Sequence, residues 1–543
     1  MSDVQDLSAR AGGPRGTLRP IQSLALAELK QRGGLVLPVA VGGGKTLIAL
    51  LAPWCLGIPM SQVVFCVPPS LRSTFVGEAA KWCEVFEHAP SVEEVEASMI
   101  AYSELSRAEG ADLLEVRAPR LIVLDEAHTV ARSKSARGAR FGAYMKRRPD
   151  THLVVMSGTL LSSSLADLAA LSGMALGQGS PLPLKRDDLK AWCDVTDSER
   201  GGAARAVSPH DAVWNRWGSV LPGVLDLTVR GRRRVIRAWL LDRIRCTPGV
   251  VSTTQTSAAY PCELTPLHLS VAVEVEDALK EFNATGTLPD GREVDRSVEA
   301  VGVRRGLLLG HFNHWRWEGV EDLGWLEARR AYFRELNAVV ARRRPGLDSA
   351  MLVRASLEAG QNLGLDLAAA YQAWLAVEAR ADVESIPTIL SVEPIRRLLA
   401  AWSDMRVDDS PAIIWYWSRA EAAILEALGV PVVWPGDEPP VPSRGDVAGM
   451  SIRAHGTGKQ LQAWTQALVL SPPSSGKLLE QLLGRQNRGD RLDSHPGVVR
   501  VWLVDQGQLG SADKDAAFAQ QTQGQEQRLL TAERKKPVRV DMS

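Results

Sequence analysis

Over the first 170 residues, short apolar runs alternate with longer stretches of helical period. The runs are Gly34–Val39, Gln62–Val67, Leu121–Leu124 and Leu153–Met156. A strand that is apolar at nearly every position, and not at every second one, is buried on both faces, as in a parallel sheet covered by helices. The pattern predicts an α/β domain over residues 16–262, closed by the mixed loops and helices from about Leu171 to Cys262. From about Glu263 to Ala400 the period becomes that of long amphipathic helices, such as Trp325–Arg344 and Leu363–Ala381, so residues 263–400 read as a helical insertion. Apolar runs return at Ala412–Trp417, Val430–Trp434, Ala467–Ser471 and Val498–Val504, separated by helical stretches at Arg419–Leu428 and Gly476–Asn487. They predict a second, smaller α/β domain over 401–510. Residues 1–15 read as a flexible lead-in and 511–543, rich in Gln and polar residues, as a mobile tail.

Length and composition refine this picture. At roughly 100–200 residues per domain, a chain of 543 residues holds several units. Hydrophobic residues at 45% and charged residues at 23% fit a globular chain and exclude a disordered or fibrous one. Lys plus Arg number 63, as do Asp plus Glu, so no global field draws the chain to nucleic acid or an anionic membrane. A polyanion has to be held by local patches. The six cysteines form no CxxC pair, which argues against a zinc site or a disulfide framework and for free, mostly buried thiols. The N-terminus lacks a basic and an apolar signal region, and no apolar run reaches the ~18–20 residues of a membrane span. A cytoplasmic protein with no membrane partner is expected.

The most informative stretch is Gly34-Leu-Val-Leu-Pro-Val-Ala-Val-Gly-Gly-Gly-Lys-Thr46, a buried strand, a glycine loop and the start of a helix. Gly42, Gly43 and Gly44 let backbone N–H groups turn toward a phosphate with no Cβ in the way, and the helix beginning near Lys45 points its positive end there. Lys45 is placed to reach the β- and γ-phosphates and Thr46 to ligate Mg²⁺. The strict pattern asks for glycine at position 39, where the chain has Val39. Standing alone, the segment has a lesser alternative as a flexible strand-to-helix loop. A second site, Leu121-Ile-Val-Leu-Asp-Glu-Ala-His128, delivers two carboxylates at a strand end, which a parallel sheet sets beside the loop. Asp125 is expected to hold Mg²⁺ and Glu126 to polarise the attacking water, with His128 coupling nucleotide state to the neighbouring domain. By itself, Asp-Glu at a strand end is also a common helix N-cap pair.

With these residues in place, the chain resembles the superfamily-two helicases and translocases along both α/β regions. Leu18-Arg-Pro-Ile-Gln22 resembles the adenine-reading Q motif, which implies that Arg19 and Gln22 meet the base. Val41–Thr46 resembles motif I, which in this family commonly lacks the first glycine. Val67-Pro-Pro-Ser70 resembles motif Ia, Ala101-Tyr-Ser-Glu-Leu105 the strand-contact motif that follows, and Asp125-Glu-Ala-His128 the DEAH form of motif II. Ser157-Gly-Thr159 resembles motif III, which implies a coupling role for Ser157 and Thr159. Ala412–Ser418 resembles motif IV, Ala454–Gln462 motif V with Gly456 as a coupling residue, and Gln481-Leu-Leu-Gly-Arg-Gln-Asn-Arg488 motif VI. Three apart on a predicted helix, Arg485 and Arg488 share a face. The resemblance implies that they reach the γ-phosphate, with Gln481 beside them; taken alone they read as a solvated helix face. The LRPxQ opening, the long insertion and the ending most resemble the Swi/Snf-type branch and compact phage or prophage helicases. Gln460 and Asn487 depart from that pattern.

The family implies two RecA-like parallel-sheet domains that bind ATP and Mg²⁺ and grip a phosphate backbone. Ser70, Arg72, Ser103, Thr457 and Lys459 are the candidates for that grip, contacts that position a strand without reading its sequence. The cluster Arg230, Arg232, Arg233, Arg234 and Arg237 reads either as a duplex-binding patch or as a solvated helix face. Trp415 and Trp417 sit on a predicted strand, where burial competes with base stacking. The expectation is an ATP-dependent DNA helicase or translocase acting on single- or double-stranded DNA, with replication or phage proteins as partners. Two other readings stay open, an ATP-dependent protein-clamping switch or loader and a non-hydrolysing scaffold, the latter disfavoured by the presence of Lys45, Glu126 and both arginines.

Overall fold

The computed structural model describes residues 17–39, 44–106, 112–131, 136–158, 160, 164–197, 211–252, 261–289, 297–316, 322–341, 347, 350–380, 384–456, 459, 461–487, 497–524 and 526–542. The chain divides into two units. Unit 1 comprises Met1–Ser257, Tyr332–Ala370 and Lys514–Gln527, and unit 2 comprises Ala258–Ala331, Tyr371–Asp513 and Arg528–Ser543.

Unit 1 is built on a wholly parallel sheet of β1 (Gly34–Leu37), β2 (Val63–Val67), β3 (Met99–Ala101), β4 (Leu121–Leu124) and β5 (His152–Met156) in the order β1-β5-β4-β2-β3. Alternate residues feed opposite faces. Val36, Val64, Cys66, Ile122, Leu124 and Val155 join one core. Leu35, Leu37, Phe65, Val123, Val154 and Met156 join the other. Two buried faces explain why the strands read as continuous apolar runs. Helix α1 (Pro20–Arg32) precedes β1, and α2 (Lys45–Leu56) follows it across the glycine loop. Helix α3 (Leu165–Leu176) comes so close to β1 that a Cβ on Gly34 would stand 1.8 Å from the Ala175 carbonyl oxygen. The unit also contains α4 (Val229–Arg245).

Unit 2 carries an eight-stranded parallel sheet. Its strands are β6 (Cys262–Leu269), β9 (Ala412–Tyr416), β10 (Val432–Val433), β11 (Val447–Ser451), β12 (Gln466–Val469), β13 (Val499–Val504), β14 (Glu533–Arg534) and β15 (Val538–Val540). The order is β10-β11-β9-β12-β13-β6-β14, with β15 also on β6. An antiparallel pair, β7 (His311–Arg316) and β8 (Glu384–Ile389), stands apart from it. Helix α5 (Arg419–Ala427) follows β9, α6 (Gly476–Gln486) follows β12, and α7 (Gln508–Gln523) follows β13.

The fold is therefore α/β with two parallel sheets, as the apolar runs predict. The boundaries differ. Residues 263–400 do not form a body of their own: β6 is a central strand of unit 2, and Tyr332–Ala370 belongs to unit 1. The strand signal at Cys262–Leu269 is weak because its burial alternates at the start and Pro266 interrupts it. Residues 511–543, read as a mobile tail, contain most of α7 together with β14 and β15. Their Gln content conceals buried Ala512, Ala516 and Ala519 at helical spacing, and Phe518 lies in the core of unit 1. Among the described residues no helix is long and apolar enough to cross a membrane. The described cysteines are free, with Cys55, Cys66 and Cys262 buried and Cys246 exposed.

Candidate functional site

The carboxyl ends of β1, β5 and β4 lie side by side, with Leu37 opposite Met156 and Leu124 opposite Val155. Whatever follows these strands converges on one edge of the sheet. After β1 the chain reaches Gly44, which has φ 78 and caps α2. A side chain there would be strained, and its Cβ would stand 2.3 Å from Gln22 Nε2. Gln22 is buried at the start of α1. Its Nε2 donates to the Gly44 carbonyl at 3.3 Å, and its Oε1 accepts the Arg19 N–H at 2.9 Å. The amide thus ties the glycine loop to the N-terminus of α1, and each end keeps capacity for one more hydrogen bond. Lys45 Nζ donates to the Val39 carbonyl at 2.8 Å, which turns the ammonium back toward the residues that follow β1. Thr46 is half-buried in the first turn of α2. Gly42 and Gly43 lie outside the described residues.

The residues after β4 form a tight polar cluster. Asp125 is half-exposed, and its Oδ1 accepts the Glu126 N–H at 3.0 Å. Glu126 is buried with φ 49, a left-handed conformation that costs a non-glycine residue about 1 kcal/mol or more. The Ser157 hydroxyl, after β5, donates to Glu126 Oε2 at 2.8 Å. His128 Nδ1 lies 3.0 Å from Ser157 Oγ and 3.2 Å from Glu126 Oε2. Since the only hydroxyl proton goes to Glu126, both oxygens face Nδ1 as acceptors, and the tautomer with hydrogen on Nδ1 satisfies them. Glu126, His128 and Ser157, predicted separately, are thus brought together. Thr159 lies outside the described residues.

A residue that sequence reasoning passed over supports this cluster. Tyr102, after β3, is buried, and its hydroxyl donates to the Asp125 main-chain oxygen at 2.7 Å. Burial, with Cys66 and Asp125 nearby, holds the phenol well above its ordinary pKa, so it remains a donor. The signal available was its place beside Ser103, which is half-buried. Burial also pushes the Cys66 thiol up to about 12. Arg19 and Arg72 are exposed, and for Ser70 only the backbone, in the turn Pro69–Leu71, is described.

In unit 2, α6 buries Gln481 and Arg485. Arg485 Nε donates to the Gly456 carbonyl at 3.3 Å, which joins two predicted site residues. Gly456 has no room for a side chain, because a Cβ would stand 2.2 Å from the Ile452 carbonyl oxygen. Lys459 Nζ is paired with Glu438 at 2.5 Å, and its side chain is 13% exposed. Thr457 and Arg488 lie outside the described residues. A second missed residue is Glu421, buried in α5. It accepts from the Trp417 N–H at 2.5 Å and from Ser471 Oγ at 2.7 Å, and lies 3.4 Å from His311 Nε2. Burial raises its pKa, but His311, Ser471 and the Trp417 N–H outweigh it and hold the carboxyl below its usual range. The capping box Ser418-x-x-Glu421 was its visible signal. Trp415 is wholly buried in the sheet and unable to stack on a base, whereas Trp417 carries Arg453 over its ring at 4.6 Å.

The arginine cluster on α4 divides. Arg237 donates to the Thr196 and Asp197 carbonyls and to Gln521, and Arg232 to the Leu225 and Leu227 carbonyls. These two support the fold, leaving Arg230 and Arg234 exposed. Among the described residues no group of three or more His, Cys, Asp or Glu side chains is placed to hold a metal ion. No known protein-family model matches the chain, and no curated protein sequence matches it at a significant level.

Proposed function

We propose that the chain is an ATP-dependent DNA helicase or translocase whose two parallel-sheet units are RecA-like lobes. The observation that carries this reading is the Glu126–Ser157–His128 cluster, on the same sheet edge as the loop that ends in Gly44 and Lys45. A buried carboxylate held in left-handed backbone is stored strain, and such strain gathers at working sites. The hydroxyl of Thr46 and the carboxylate of Asp125 are hard oxygen donors that suit Mg²⁺. Bound there with ATP, the ion would neutralise phosphate charge. Lys45 and the loop N–H groups hold the phosphates, and Glu126 orients a water. Ser157 and His128 link the carboxylate to the adjoining strand. Arg485 and Arg488 supply positive charge to the γ-phosphate, a role worth ~10³–10⁵ in rate. Arg19 and Gln22 receive the adenine. Ser70, Arg72, Ser103, Thr457 and Lys459 hold the backbone of the nucleic acid.

One observation favours a second reading, a nucleotide-dependent protein-clamping switch. Lys459 is a cation expected to meet a polyanion, Arg232 and Arg237 belong to the cluster for which a duplex-binding patch is one of two readings, and each is engaged within the chain. ATP turnover measured with no nucleic acid and with single-stranded DNA, duplex DNA or RNA separates the two. The motor reading expects stimulation by DNA; turnover indifferent to every nucleic acid would leave the switch. Strand displacement on tailed and blunt duplexes then distinguishes unwinding from translocation.

A further inference from the structure

The chain segment that opens with Arg528 lies along the side of α6 adjoining the one that carries its functional side chains. Arg528 is 4% exposed. Its Nε donates to the Asn487 carbonyl at 3.0 Å, at the C-cap of α6, and its Nη1 donates to Glu480 Oε1 at 3.2 Å. Glu480 Oε2 in turn accepts the Leu529 N–H at 3.0 Å. Between these anchors the guanidinium passes Gly484, where an added Cβ would stand 3.6 Å from Nη1. Positions 480, 484 and 487 follow the i, i+4, i+7 spacing of one helix face. Positions 481 and 485 are four apart on the next face, ~100° around the axis. Beyond Arg528 the segment is fixed by β14 and β15, both paired with β6.

A single guanidinium therefore grips α6 at two points, about two turns apart along the helix. A buried carboxylate such as Glu480 needs a hydrogen-bonded cation, and a cation at a helix C-terminus also meets the negative end of the helix dipole. Rotation of α6 about its axis would break both contacts. That same rotation would swing Arg485 away from the Gly456 carbonyl. We infer that Arg528 is a positioning residue for ATP hydrolysis, fixing the rotation of α6 and with it the direction of Arg485. The inference rests on the reading of Arg485 as an ATPase residue.

The test is steady-state ATP turnover by the full chain across ATP concentrations for Arg528→Met, Arg528→Lys and Arg485→Ala, with nucleotide affinity and melting temperature measured alongside. For Arg528→Met, kcat falls on the order of 10–100-fold, the scale of a small misplacement of a working group, while ATP affinity stays within about twofold of wild type, since Lys45 and its loop lie in the other unit. Arg528→Lys recovers much of the rate, because an ammonium still meets Glu480. A folded Arg528→Met chain with wild-type kcat overturns the inference. So does a joint fall of kcat and ATP affinity that the lysine does not rescue, which marks a purely structural role. Should Arg528→Met fail to fold, Glu480→Gln carries the test, since it keeps an acceptor for the Leu529 N–H and removes the charge; the same loss of kcat is expected, and wild-type kcat overturns the inference. If Arg485→Ala turns over ATP at the wild-type rate, the arginine reading fails and the positioning role with it. If Arg485→Ala is slow and Arg528→Met is not, only the positioning role fails.

Discussion

At the scale of single residues, the decisive contact is the Ser157 hydroxyl on Glu126 Oε2. Removing a buried hydrogen-bond partner leaves the other group unsatisfied at about 1–3 kcal/mol. If that cost falls on the active orientation of Glu126, Ser157→Ala lowers ATP turnover by ~10–100-fold, taking 1.36 kcal/mol per factor of ten. ATP affinity stays unchanged, and equal loss of affinity and rate would contradict a role confined to the chemical step. Lys459 gives a second prediction. Its partner Glu438 has a side chain 74% exposed, so the pair is weak, and Glu438→Gln releases the ammonium for a phosphate. DNA binding at low salt should tighten by about two- to fivefold, matching the fraction of a kcal/mol that such a pair holds. Unchanged binding in Glu438→Gln, with Lys459→Ala also silent, would remove Lys459 from the nucleic-acid path. Glu126, His128 and Ser157 were each legible as strand-end residues because apolar runs mark where parallel strands stop. Their mutual hydrogen bonds were not legible, since they depend on β5 lying next to β4, a pairing that no local pattern encodes.

Among the elements, α5 shows how a buried charge is tolerated. Glu421 joins the turn after β9, the residue Ser471 beyond β12 and His311 on β7. Its folded pKa lies below its unfolded value, so the ionised carboxylate stabilises unit 2 above the ordinary carboxylate range, and that stability is lost as pH falls through this range and below it. Glu421→Gln should lower the melting temperature at neutral pH and flatten the fall in stability on acidification. A variant with an unchanged acid slope would contradict the assignment. The same elements show what sequence pattern misses. β1, β2, β4, β5, β9, β12 and β13 are mainly apolar, with Arg500 the one charged residue among them, and the apolar pattern places them to within about two residues. β6 carries Glu263, Thr265 and Pro266, and β14 and β15 sit in a polar setting, so all three escaped notice. They became strands because a neighbouring edge was available to pair with, a property of the tertiary fold and not of their own residues.

For the whole molecule, zero net charge means that a proposed polyanion partner has to be held by local patches. The described structure sharpens which cations remain on the surface: Arg19, Arg72, Arg230 and Arg234 are exposed, whereas Arg232, Arg237 and Lys459 are engaged. The long middle region, read as one insertion, is shared between the two units, and the terminal region completes the sheet of unit 2. Amphipathic period reports which face of a helix is buried and says nothing about which core receives it, so this division was not visible from the chain. The proposed function requires the edge of unit 1's sheet to hydrolyse ATP. The most direct measurement is ATP binding and turnover by the full chain beside Lys45→Ala and Glu126→Gln. The expected results are turnover by the wild type, loss of ATP affinity in Lys45→Ala, and in Glu126→Gln retained binding with turnover reduced by ~10²–10⁴, the range expected for a general base. A wild-type chain that hydrolyses no ATP, or a Glu126→Gln chain that hydrolyses it at the wild-type rate, would contradict the proposed function.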